Sequence, residues 1–230
     1  YEDVLAKEPH HLKALARLAE LRFRRGEYAQ ALESARTALA VDTYDPDANF
    51  IYGCVNRALG KRADAKDGFG WASRSMGLRS ASYTELAALA CEEKDLERAA
   101  DYARRSIEHN ALNIPGLGIQ AAAGRHLGNR SEAASAVDRL LEIAPLNSTA
   151  RFERYLGEPN PENLKAFSAM VRNELPHETY LELAAFYAGL GFEDDARRAL
   201  EAMPPQPLAQ LWQAYLLRDT APAESRAAPP

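Results

Sequence analysis

Apolar positions along this chain fall into columns 34 residues apart. The clearest column is alanine, at Ala31, Ala65, Ala99 and Ala133, and a second, Gly26, Gly60, Lys94 and Gly128, precedes it by five residues. Upstream of these lies a pair in which a larger residue is followed by a small one: Leu18 and Ala19, Tyr52 and Gly53, Leu86 and Ala87, Gln120 and Ala121. Downstream come Ala38, Ala72, Ser106 and Leu140, then Pro9, Thr43, Gly77, Ala111 and Pro145. The second column reads as the end of one helix and the turn into the next, because glycine takes the left-handed backbone that closes a helix without steric cost, whereas Lys94 must pay for it. A small residue in the paired column lets two helix backbones approach closely. Each period therefore predicts a tight antiparallel helical hairpin.

Several columns in phase over a 34-residue repeat resemble a tetratricopeptide array. Gly60, Ala65, Phe69 and Ala72 follow that family's pattern closely, while tryptophan is missing from the first helices and proline is replaced at three of its five places. The resemblance implies an all-α fold, a right-handed superhelical α-α solenoid of tetratricopeptide hairpins with a C-terminal capping helix. Residues 1–11 read as a partial repeat, 12–147 as four repeats, 148–176 as a degenerate one and 177–203 as the last. Within the degenerate unit, Gly157, Pro159 and Pro161 stop a short helix, and Asn160 before Pro161 starts another that is expected over 161–173. The last unit keeps the spacing with Leu183, Ala184, Gly191 and Ala196. Residues 207–218 carry Leu208, Leu211, Trp212, Tyr215 and Leu216 on one side of an amphipathic helix expected to cap the array. The Ala- and Pro-rich tail, 219–230, is expected to be flexible.

In such an array the first helix of each hairpin lines a concave face, and its remaining positions are where a ligand would be read. These are Lys13, Arg17, Glu20 and Arg24 in the first unit, Asp47, Phe50, Ile51, Cys54 and Arg57 in the second, Glu85, Ala88 and Glu92 in the third, and Ile119, Ala122, Arg125 and His126 in the fourth. Phe50 and Ile51, flanked by Arg17, Arg57 and Glu85, would suit an extended peptide or a helix with one apolar side. The alternative is that the next hairpin buries both and the charges are ordinary solvated surface. Asn49 and Asn56 point toward the packing side, so the Lys and Asn clamp with which some tetratricopeptide proteins hold a C-terminal carboxylate is not expected. Gly68 and Gly70, inside a predicted helix, are expected either to pack closely against Trp71 or to mark a distorted helix that exposes it.

Composition narrows the chemistry. A net charge of -5, with both signs interleaved, gives no reason to expect nucleic acid or an anionic membrane as partner, and no segment approaches the roughly 20 apolar residues of a membrane span. Cys54 and Cys91 are too few for a disulfide framework and read as free thiols. The five histidines are scattered, no Gly-rich phosphate loop, nucleophile elbow or zinc motif is present, and paired carboxylates such as Asp194 and Asp195 read as solvated or capping charge at helix ends. No catalytic residue, metal or cofactor is assigned.

The chain starts in what reads as mid-helix and is expected to be cut from a longer protein. The function expected is a protein-interaction scaffold that binds a peptide, a partner domain or another domain of the same polypeptide. A second expectation is an accessory region of a larger enzyme, since arrays ending in a unit like YLELAAFYAGLGFEDDARRAL followed by PLAQLWQAYLL are similar to those attached to bacterial carbohydrate-associated proteins. A third is weak self-association, in which the Pro-rich tail or the uncovered first segment, whose Val4 and Leu5 lack a first-helix partner, binds a neighbour.

Overall fold

The periodic columns become antiparallel helix pairs in the computed structural model, which describes residues 1–172, 174–205, 207, 210–212 and 214–215. All regular structure among these is helical. A short helix, α1 (Glu2–Lys7), precedes four full hairpins: α2 (Leu12–Arg24) with α3 (Tyr28–Val41), α4 (Pro46–Ala58) with α5 (Arg62–Ala72), α6 (Arg79–Glu92) with α7 (Leu96–His109), and α8 (Ile114–His126) with α9 (Arg130–Ile143). Then come α10 (Ser148–Gly157), α11 (Pro161–Ser168), α12 (Pro176–Gly189) and α13 (Glu193–Ala202). The chain divides into two compact units: Tyr1–Leu89 with Arg98–Ile119, and Ala90–Glu97 with the described residues from Gln120 onward.

The turn column behaves as its residues dictate. Gly26, Gly60, Gly128 and Gly191 have φ between +72° and +76°, and Lys94 joins them at +63° as the one non-glycine with positive φ among the described residues. Each of these five turns closes with the same pair of bonds. At Gly26, for example, the Glu27 amide donates to the Arg22 carbonyl and the Gly26 amide to that of Phe23, both at 2.9 Å. This is the Schellman closure, which satisfies carbonyls the helix leaves open. For Lys94 the left-handed backbone costs roughly 1–2 kcal/mol.

Helix starts are capped by side chains. Asp45 accepts from the Ala48 amide at 2.8 Å, Asn147 from Ala150 at 2.8 Å and Asn160 from Asn163 at 2.8 Å. Asn113 accepts from Gly116 at 3.0 Å and also donates to the Ser80 and Thr84 hydroxyls, both at 2.8 Å, which ties the start of α8 to α6.

In the first unit the core is built from small residues. Ala19, Ala31, Ala35, Ala38, Ala48, Ala65, Ala72, Ala99 and Ala103 are fully buried. Helix α4 packs closely on α5, where a Cβ added at Gly68 would stand 2.7 Å from the Asn49 carbonyl oxygen and 2.8 Å from the Gly53 nitrogen. Gly68 thus serves helix packing, but against the α4 backbone rather than against Trp71 as expected. Helix α5 runs through it unbroken. Trp71 is half-buried against Tyr44, ring centroids 4.8 Å apart, with the Arg74 guanidinium 3.9 Å over its ring.

The second unit replaces part of this small-residue packing with aromatics. Phe152 meets Phe167 edge-on at 5.1 Å and Tyr187 at 5.9 Å, and Phe167 meets Tyr180 at 5.8 Å. Their rings occupy the space beside the eight-residue α11. That helix was expected to reach residue 173 and instead ends at Ser168. Ala169 and Met170 are exposed, so no burial sustains a further turn. Leu175 must also leave the helical region to enter Pro176.

In the region expected to cap the array, the described positions 207, 210–212 and 214–215 are helical. Leu211 and Tyr215 are exposed, and Trp212 meets Tyr215 at 5.8 Å. Leu208, Leu216 and the tail 219–230 lie outside the described residues. At the other end of the chain, Val4 is exposed and Leu5 half-buried against the Leu15, Ala16, Ala38 and Ala48 cluster.

Candidate partner-binding surface

In the first unit, the positions left over from packing lie on α2, α4 and the start of α6. Lys13, Arg17 and Arg24 are exposed and Glu20 is half-buried. Glu20 accepts from Arg17 and Arg24, each at 2.7 Å, one helical turn to either side. The Arg17 hydrogen bond, opposed by partial burial and reinforced by Arg24, holds the Glu20 carboxyl below its ordinary range. One hairpin further, Arg57 reaches across to Glu85 at 2.6 Å, with both side chains about a quarter exposed (24% and 29%). Between these polar groups lie Phe50, Ile51 and Cys54.

Phe50 and Ile51 are half-buried. Phe50 packs edge-on against Phe69 at 5.6 Å and, with Cys54, against the cluster of Ala65, Phe69, Tyr83, Leu86 and Leu89. Ile51 packs on Ala31, Leu32 and Val55. Each is therefore part anchor and part surface. Burial pushes the Cys54 thiol up to about 12, and the Glu85 charge adds to that. The thiol is therefore protonated at neutral pH and makes an apolar contribution, not a nucleophilic one. Asn49 and Asn56 are buried, as their expected packing orientation requires.

The same columns change character toward the C-terminus. One inner column contains Arg17, Ile51, Glu85, Ile119 and Glu153, spaced by the 34-residue period. Arg17 has 55% of its side chain exposed, Glu85 29%, and Glu153 only 2%. Ile119 is also buried. Arg125, expected at this surface, has 15% of its side chain exposed and is committed elsewhere. Its Nε and Nη2 donate to the two Glu153 oxygens at 2.8 and 3.0 Å, and Nη2 donates to Asp195 at 2.7 Å.

This second-unit cluster was not anticipated. Asp194 is exposed and pairs with Arg197, as a residue at a helix start does, but Asp195 is buried. Asp195 also lies 2.7 Å from His126 Nε2, whose ring stacks on Phe192 with centroids 4.0 Å apart and planes 13° apart. Burial would raise the Asp195 carboxyl, but the His126 hydrogen bond and the Arg125 charge outweigh it and hold it below its ordinary range. Burial would likewise lower Arg125, yet Glu153 first and Asp195 second raise it. The Tyr187 hydroxyl donates to Glu153 at 2.8 Å, and burial, then the charge on Glu153, pushes that phenol well above its ordinary value. Every charge here is met by an opposite charge or a donor, the condition under which buried ions are tolerated.

Among the described residues, no group of three or more His, Cys, Asp or Glu side chains is placed to hold a metal ion. No described helix is long and apolar enough to cross a membrane.

No protein-family model matches the chain, and no curated protein is significantly similar to it. Solved structures are similar in fold. YrrB, a TPR protein with an unusual peptide-binding site, shares 18% identity over 79% of this chain and 97% of its own, with a TM-score of 0.61. A tetratricopeptide repeat protein from Parabacteroides merdae shares 15% over 94% of this chain and 89% of its own, at 0.63. PilF from Pseudomonas aeruginosa shares 15% over 89% and 97%, at 0.60. The chain has the tetratricopeptide-repeat fold.

Proposed function

We propose that this chain is a protein-interaction scaffold that holds a peptide, or a segment of a partner domain on another chain or in the same polypeptide, against the inner helices of its first unit. The residues that would read it are Lys13, Arg17, Glu20 and Arg24 on α2, Phe50, Ile51, Cys54 and Arg57 on α4, and Glu85 on α6. The observation that carries this reading is the fall in exposure along one inner column, from 55% at Arg17 to 2% at Glu153. Only its first members are accessible to a ligand.

The partner's chemistry follows from the lining. The apolar strip is flanked by four cations, Lys13, Arg17, Arg24 and Arg57, against two carboxylates, Glu20 and Glu85, an excess that favours an extended or helical segment with one apolar face and some negative charge. YrrB is described as having a peptide-binding site, which supports this use of the fold without carrying over any residue. Arg125 is left out, since its guanidinium is spent on Glu153 and Asp195.

The test is affinity capture with the wild-type chain, followed by titration of the captured partner against Arg17→Ala combined with Phe50→Leu. Leucine keeps the packing against Phe69 while changing the surface. Affinity at least about tenfold weaker, with an unchanged helical circular dichroism spectrum, is expected; equal affinity would contradict the proposal.

A further inference from the structure

Within the second unit, one short segment is held in the manner of a bound peptide. Residues 191–195, Gly-Phe-Glu-Asp-Asp, run from the turn after α12 into the first residues of α13. In a repeat array each unit normally touches only its neighbours. This segment instead meets residues 69 to 99 positions away. The Lys94 ammonium donates to the Gly191 carbonyl and lies 3.5 Å from the Glu193 carboxylate and 5.7 Å from the centre of the Phe192 ring. Phe192 stacks on His126 at 4.0 Å. Asp195 takes Arg125 and His126, each at 2.7 Å. A Cβ at Gly191 would stand 3.3 Å from Lys94 Nζ and 3.4 Å from Glu92 Cα, so the approach reaches the backbone.

Lys94 is the independent clue. It occupies the left-handed turn position that glycine fills in the other four hairpins that have this turn. Lysine is disfavoured there, and the structure gives it one use, to engage this segment. The surface made by the ends of α6 and α8 thus offers two cations, an imidazole face and a close backbone approach. Its occupant offers an aromatic ring, two carboxylates and a glycine.

We infer that Lys94, Arg125 and His126 form a recognition site for an aromatic residue followed by carboxylates, that the chain's own 191–195 segment fills it as an intramolecular ligand, and that a partner segment of the same chemistry competes for it. This site is separate from the surface proposed on the first unit and does not depend on it. Glu153 on α10, itself held by the Tyr187 hydroxyl on α12, orients Arg125.

The test uses the whole chain and a fluorescent peptide with the sequence of residues 188–198, followed by anisotropy. Asp195→Asn loosens the internal contact while keeping its shape, so the peptide is expected to bind this variant at least about tenfold more tightly than wild type, where the internal segment competes. The gain should disappear when Lys94→Met is added, or when Phe in the peptide is replaced by Ala. Hydrogen exchange should show the peptide protecting residues 90–97 and 120–126 of the variant. If Asp195→Asn does not fold, Phe192→Leu combined with Glu193→Gln serves in its place under the same criteria. Absence of binding to a folded variant, or binding that survives Lys94→Met unchanged, would overturn the inference.

Discussion

Gly68 and Gly70 look alike in sequence, two residues apart in one helix, and the structure separates them. A methyl at Gly68 would meet the α4 backbone at 2.7 and 2.8 Å, whereas at Gly70 nothing lies within 4 Å. Gly70→Ala should therefore stabilise the protein by about 0.5–1 kcal/mol through helix propensity. Gly68→Ala should destabilise it by about 1–3 kcal/mol despite the same propensity gain, because α4 and α5 must part. Urea unfolding of the two variants checks both signs, and equal shifts would contradict the packing account. Sequence alone could say that these glycines had a reason, but it named the wrong neighbour, since Trp71 adjoins Gly70 in the chain while Gly53 faces Gly68 only after folding. Asp195 was misread for a related reason. A carboxylate at a helix start is ordinarily solvated, and nothing local marks the one that Arg125, 70 positions away, takes inside.

At the level of helices and turns, the residues that act locally were legible. Gly26, Gly60, Lys94 and Gly128 adopt the left-handed turn that their column implied. Asn160 caps α11, as Asn before Pro suggests. The end of α11 was not legible, because it depends on the lack of burial at Ala169 and Met170 and on the approach to Pro176. The tie between α8 and α13 is likewise a product of tertiary packing, and it has a pH signature. The Asp195 carboxyl is held below its ordinary value of 3.8 in the fold. Its contribution to stability is then fully present above that value and is lost as pH falls through the lower folded one. Melting temperature followed from about pH 5 down to pH 2 should fall less steeply in Asp195→Asn than in wild type. Parallel curves would show that Asp195 contributes nothing to acid unfolding.

For the molecule as a whole, the 34-residue columns carried the fold class, since periodic small residues leave few alternatives to stacked helical hairpins. They also marked candidate positions on the first helices of the hairpins, but not which of them remain accessible. Glu85 and Glu153 occupy one column with the same side chain, yet Glu85 is 29% exposed while Glu153, at 2%, is enclosed by Arg125 and Tyr187. Exposure along a repeat is a property of what the later hairpins cover, and the column itself does not encode it. On the proposed reading this is a division of labour, in which the first unit presents a surface to a partner and the second fills its own. Arginine-selective modification by phenylglyoxal, read by mass spectrometry on the folded chain with and without captured partner, tests that division most directly. The account predicts rapid modification of Arg17 and Arg24, slowed when partner is bound, and protection of Arg125 until the protein unfolds; rapid modification of Arg125 in the folded chain, or indifference of Arg17 to the partner, would contradict it.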